Sequence, residues 1–121
     1  MSEENRRLYL VHWHNAEAEH MAMELRQLDW RVAVNANPDD VNLKMIRQQP
    51  PKAVIISLCY HTLRGREIAE TLWWTKWGKY LPIIFLACPL DEEEEFHADF
   101  PHAIFTDWDT LPVVLNGLPS K

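Results

Sequence analysis

The chain has 121 residues, 47% hydrophobic and 25% charged, a profile that excludes intrinsic disorder and fits one domain, residues 1–121, with an ordinary core. A total of 12 Lys and Arg against 18 Asp and Glu gives a net charge of −6, which argues against direct binding to nucleic acid or an anionic membrane surface. No apolar run approaches the ~20 residues of a membrane span, and the N-terminus lacks the apolar stretch of a signal peptide. Cys59 and Cys88 are too few for a secreted disulfide framework, so the expected setting is a reducing cytoplasm.

Residues 8–11 form the first short apolar run and predict a strand. Asn15 is a good N-cap for the helix that follows, with Ala18, Met21, Leu25 and Leu28 on one face. Trp30 leads into a second apolar run at 32–34 and is expected in the core. Asn37-Pro38-Asp39-Asp40 supplies a cap, a first-turn proline and two carboxylates suited to the helix dipole; Val41, Met45 and Ile46 point inward and Pro50-Pro51 stops the helix. The third run spans 53–58. A third helix is predicted from about Gly65 to Trp77, burying Ile68, Ala69 and Leu72, with Gly78 as its C-cap. The fourth run, 83–87, precedes a short acidic helix from Asp91 to about His97, ended by Pro101. Its acidic residues 91–95 read as a solvated helix start. A fifth run at 103–105 leads to a last helix from Asp109 or Thr110 to Asn116-Gly117. Strands that are apolar without alternation are buried on both faces of a parallel sheet. Their interleaving with helices predicts an α/β architecture.

The order and spacing of these segments resemble the receiver domain of two-component response regulators over nearly the whole chain. Leu-Tyr-Leu-Val-His-Trp-His at 8–14 stands where that family has an apolar strand ending in an acidic pair. Pro51-Lys52-Ala53-Val54-Ile55-Ile56-Ser57-Leu58 matches the third strand, which in the family ends at the phosphoacceptor Asp. Gly65-Arg66-Glu67-Ile68 matches the glycine and helix after that Asp, and Leu81-Pro82-Ile83-Ile84-Phe85-Leu86-Ala87 the strand that ends in Thr or Ser. The resemblance implies a flavodoxin-like, doubly wound sheet of five parallel strands in the order 2-1-3-4-5, flanked by helices, with its site at the C-terminal strand edge.

It also implies a site whose chemistry has been removed. The family's acidic pair falls on His12 and Trp13, the acceptor on Ser57 and the hydroxyl residue on Ala87. The phosphate-binding Lys falls on Asp107 or Asp109, since no Lys lies between Lys79 and Lys121. A hard cation such as Mg²⁺ has no carboxylate cluster left to bind except that single Asp, and no cofactor is expected. The implied role is signal transduction through protein–protein contacts, without phosphorylation and without enzymatic activity, with a protein partner or a second copy.

The residues themselves also allow other arrangements. His12, His14 and His61, with Cys59 or Cys88 nearby, offer imidazole and thiolate ligands for Zn²⁺ or Ni²⁺ and define an alternative, a metal or small-ligand sensor on the same fold. Ser57 with His12 as base and Asp107 as orienting acid outlines a nucleophilic enzyme, but no glycine-rich oxyanion loop surrounds the serine. Of the 6 tryptophans, Trp73, Trp74 and Trp77 fall in one helix. At ~100° per residue they cannot all face the sheet, so at least one of Trp74 and Trp77 is expected on the surface as a contact residue. The resemblance implies another candidate surface, the face of the fourth helix, fifth strand and fifth helix through which receiver domains commonly pair, which here holds the acidic run from Asp91, Phe100, Trp108 and the last helix.

Overall fold

Apolar runs that hydrogen-bond side by side need both faces covered, and here helices cover them. The computed structural model describes residues 6–35, 43–58, 62–75 and 81–118, the side chains of 43–45 excepted. Five strands, β1 (Arg7–Val11), β2 (Arg31–Asn35), β3 (Ala53–Ser57), β4 (Ile83–Leu86) and β5 (Ile104–Thr106), alternate with α1 (Asn15–Gln27), α2 (Leu43–Gln48), α3 (Thr62–Trp74), α4 (Glu93–Asp99) and α5 (Leu111–Asn116). The sheet has the order β2-β1-β3-β4-β5 and every pairing is parallel. This is the expected doubly wound topology. Among the described residues, no helix is long and apolar enough to cross a membrane.

Alternate residues of each strand feed two cores. Leu8, Leu10, Ile55 and Ile84 face α1 and α5, where Ala22, Leu25, Leu111 and Leu115 close an aliphatic layer. Tyr9, Val11, Ile56 and Phe85 face α2, α3 and α4. There Phe85 lies within 5.2–5.4 Å, centroid to centroid, of Phe96, Phe100 and Phe105. Phe100, expected at an exposed surface, is therefore core: it lies one turn beyond Phe96 on the same face of α4.

Helix ends depart from the sequence reading in three places. The N-cap of α1 is His14, whose Nδ1 accepts the Glu17 main-chain N–H at 3.3 Å, and Asn15 is already helical. The buried face of α1 runs Ala18, Ala22, Leu25, and Leu28 is 48% exposed because it lies past the last turn. Main-chain N–H groups of Asp29 and Trp30 close that end on the carbonyls of Arg26 and Leu25, with Asp29 at φ 71°. This is a Schellman closure with a non-glycine residue in the left-handed position. Helix α3 starts at Thr62, whose Oγ1 donates to the Leu58 carbonyl at 3.1 Å, and ends at Trp74, where Thr75 donates to the Leu72 carbonyl. Gly65 thus sits inside the helix, where a Cβ would fall 2.5 Å from Leu58 Cδ2 and 3.1 Å from Ile56 Cγ2. The glycine lets α3 approach β3. Ile46 is buried and α2 ends before Pro50, whereas Asn37 to Val41, the Met45 side chain, Trp77 and Gly78 lie outside the described residues.

Candidate functional site

In an open parallel sheet the strand C-termini leave a crevice in which loops from several strands converge. Here that edge carries the residues after β1, β3, β4 and β5. His12 follows β1, and its main-chain N–H donates to the Asn35 carbonyl at 3.0 Å, extending the pairing with β2. Its ring is 3% exposed, and Nδ1 accepts the His14 main-chain N–H at 3.0 Å. An imidazole accepting at Nδ1 is neutral and carries its proton on Nε2. Burial pushes the His12 pKa below its ordinary value, against the pull of Glu17 and with the help of His14.

Trp13 is half-buried against the α2–α4 layer, and its Cη2 lies 3.6 Å from where a Gly65 Cβ would stand. The indole therefore covers the start of α3, beside the end of β3. Ser57 closes β3 and is 4% exposed. Ala87, just after β4, is exposed and holds φ 59°, a left-handed conformation that a side chain with a Cβ rarely adopts.

Asp107 directly follows β5, and its carboxylate accepts the Thr110 main-chain N–H at 2.9 Å together with the Thr110 hydroxyl. Those bonds, the hydroxyl's first, hold its carboxyl below the usual range. They commit Asp107 to the turn that begins α5. Asp109 is exposed in the same turn.

Mg²⁺ takes a near-octahedral set of oxygens, one or two usually from carboxylates and the rest from waters and phosphates. The strand edge instead presents imidazole, indole, a buried hydroxyl and a methyl group, with Asp107 already engaged. These residues do not fit Mg²⁺. Among the described residues, no group of three or more His, Cys, Asp or Glu is arranged to hold any metal. The structure brings His12 and His14 together through a ring-to-backbone bond, while His61 and Cys59 lie outside the described residues. Cys88 is half-buried, and burial, with the charges of Glu93, Glu92 and Asp91, raises its thiol pKa.

Sequence reasoning did not single out Asn35 or Tyr9. Asn35 Nδ2 donates to the Tyr9 hydroxyl at 2.7 Å in a buried setting, while its carbonyl receives His12. The available signal was a lone polar residue closing an apolar strand next to the site edge. The tryptophans divide as chain geometry required: Trp73 is half-buried and stacked on His102 at 5.8 Å, whereas Trp74 is 83% exposed. Trp108 packs partly against the α1–α5 core, and Trp30 is fully in it.

No family model matches the sequence, and no curated protein does. Solved structures do. The chemotaxis protein CheY4 of Vibrio cholerae superposes with a TM-score of 0.77 at 14% identity, over 93% of this chain and 98% of that one. The response regulator TrrA of Thermotoga maritima, in complex with Mg²⁺ and BeF, gives 0.76 at 18% identity over 94% and 99%. A signal receiver domain from Bermanella marisrubri gives 0.75 at 20% identity over 94% and 98%. The chain has the response-regulator receiver fold.

Proposed function

We propose that this receiver fold serves as a cytoplasmic, non-enzymatic signalling module that works through protein–protein contacts and without phosphorylation. The observation that carries this reading is the state of the strand edge. His12 and Ser57 are buried, Trp13 covers Gly65, and Asp107 is bound to Thr110. An aspartyl phosphate needs an accessible carboxylate, a bound divalent cation and cationic or hydroxyl groups on its oxygens. None of the positions equivalent to those groups, His12, Trp13, Ser57, Ala87 and Asp107, supplies the function. The signal then depends on a surface that is always presented. Trp74 supports such a surface, because an exposed tryptophan is a common anchor of a protein interface.

Incubation with acetyl phosphate and Mg²⁺ should leave the intact mass unchanged, and beryllofluoride should not alter the amide spectrum. A gain of one phosphoryl group that disappears in Ser57→Ala would show that the serine accepts phosphate and would sink this reading. Trp74→Ala should weaken capture of the native partner while leaving the melting temperature within a few degrees of wild type.

A further inference from the structure

Two imidazoles in series hold the bend between β1 and α1. His12 Nδ1 accepts the His14 main-chain N–H at 3.0 Å across Trp13, and His14 Nδ1 accepts the Glu17 main-chain N–H at 3.3 Å. The His14 carbonyl also receives the Ala18 N–H at 2.9 Å, so the bend passes directly into the first turn of α1. Trp13 is the middle residue of this bend. Its indole reaches the start of α3, with Cη2 3.6 Å from the place of a Gly65 Cβ, a place that also borders Leu58 and Ile56 of the β3 end. The backbone of residues 12–14 thus sets whether the indole stays over Gly65.

A side chain that accepts the main-chain N–H two residues on closes a turn, as an Asn or Asp does. An imidazole differs in one respect: its acceptor disappears on protonation, because both ring nitrogens of the imidazolium carry hydrogen. Protonated His12 sets Nδ1–H against the His14 N–H, donor against donor, around a ring that is 3% exposed. We infer that protonation of His12 opens the bend at 12–14 and lifts Trp13 from Gly65, so that the indole is a proton-gated cover over the end of β3. His14 does not gate in the same way. On protonation it loses the Glu17 N–H, but its Nδ1 lies 3.5 Å from the Glu17 carboxylate and gains an ion pair. Among the described residues, the charges acting on His12 are Glu17, which favours its proton, and His14, which opposes it. The adjacent strands end in the neutral Asn35 and Ser57. Helix α5, which covers the same side of the sheet, carries no titratable side chain, and Asp107 before it is bound to Thr110. Burial outweighs Glu17, so the cover stays shut near neutral pH and opens on acidification. Among the described residues, neither histidine belongs to a group arranged to hold a metal.

The cover uses residues other than Trp74 and operates whether or not Trp74 anchors a partner. Nitrogen-edited NMR spectra of the full chain from about pH 8 to about pH 5 test it, with the Trp13 indole assigned through Trp13→Phe. The His14 amide and the Trp13 indole should shift on one titration curve with the His12 ring, its midpoint below the ordinary histidine value of 6.5. Protection of the His14 amide against hydrogen exchange should fall about tenfold over that range, while the amides of β4 keep theirs. His12→Asn, whose side-chain oxygen accepts the same N–H and does not titrate, should hold both signals at their neutral-pH positions. His14→Ser, which keeps a side-chain cap on α1, should leave the titration in place. A Trp13 indole that stays constant while His12 titrates, a His12 ring that stays neutral to the acid end of the range, or a shift that persists in His12→Asn would overturn the gate. So would a titration lost in His14→Ser, which would assign it to His14. Loss of protection in the β4 amides together with His14 would also overturn it, because that is acid unfolding of the whole domain.

Discussion

The interiors of β1, β3 and β4 and the residues immediately after them follow different rules. The interiors are Val, Ile, Leu, Ala, Tyr and Phe packed on both faces, the pattern of a parallel sheet covered by helices. The residues after them, His12, Trp13, Ala87 and, at the end of β3, Ser57, are polar, oversized or strained, and they do not contribute to the sheet's ladder of apolar contacts in the same way. The difference teaches that the scaffold and the site are written in separate residues. A site can be replaced side chain by side chain while the strands keep their register.

The largest expected effect comes from damaging the shared part. Phe85 is fully buried and touches Phe96, Phe100 and Phe105, so Phe85→Ala should cost about 3–5 kcal/mol, a large fraction of a small domain's total stability. Urea denaturation measures it, and a loss below about 1 kcal/mol would mean that the phenylalanine cluster does not hold the α3–α4 layer.

Gly65→Ala lies at the boundary between scaffold and site. A helical Gly→Ala change gains about 1 kcal/mol in propensity, but the new methyl meets the buried Leu58 side chain, and such overpacking costs about 1–3 kcal/mol. The clash falls on the Cδ2 end of Leu58, which can rotate, and the Ile56 contact at 3.1 Å is tight, so the net should be destabilising by no more than about 1 kcal/mol. A stabilised variant would show that α3 can move away from β3.

At the strand edge itself the sign should reverse. Ala87 holds φ 59°, which costs an L-residue about 1–2 kcal/mol, and glycine adopts it without strain. After the unfolded-state entropy of glycine is subtracted, Ala87→Gly should stabilise by about 0.5–1 kcal/mol in the same denaturation assay. A loss of stability would place the Ala87 methyl in a packing role.

The smallest effect is a pH dependence. The folded-state pKa of His12 lies below its ordinary value of 6.5, so the unfolded chain binds the proton more readily. The stability associated with a neutral His12 is therefore complete above about pH 6.5 and is lost as the pH falls toward the depressed folded value. Thermal melts between pH 8 and pH 5 should show this decline, and His12→Asn should make the curve shallower. An identical slope in the variant would assign the acid sensitivity to other groups.

Most of the architecture was legible because the apolar runs are long enough to bury and short enough to be strands. The run at 53–58 becomes β3 to within one residue, and Pro50-Pro51 stops α2 before it. Helix ends were less legible. Asn15 looked like the cap of α1 on residue type, yet His14 performs the capping because its own N–H is fixed by His12 from the end of β1. Phe100 looked available as a surface aromatic, and only the packing of α4 on Phe85 removed it, whereas Trp108 keeps one side open while it leans on the α1–α5 core.

By itself the sequence determined the alternation of strands and helices, the presence of His12, Trp13 and Ser57 in place of carboxylates at the ends of the first and third apolar runs, and the division of Trp73 and Trp74 between different sides of α3. These follow from periodicity, composition and helix geometry, which are properties of neighbours along the chain. The tertiary structure alone decided that His12 is buried and its pKa depressed, that Trp13 lies over Gly65, and that Asp107 is bound to its own turn. Each of those depends on which segments the parallel crossovers bring side by side, and burial, hydrogen-bond partners and electric field are set by that proximity in space.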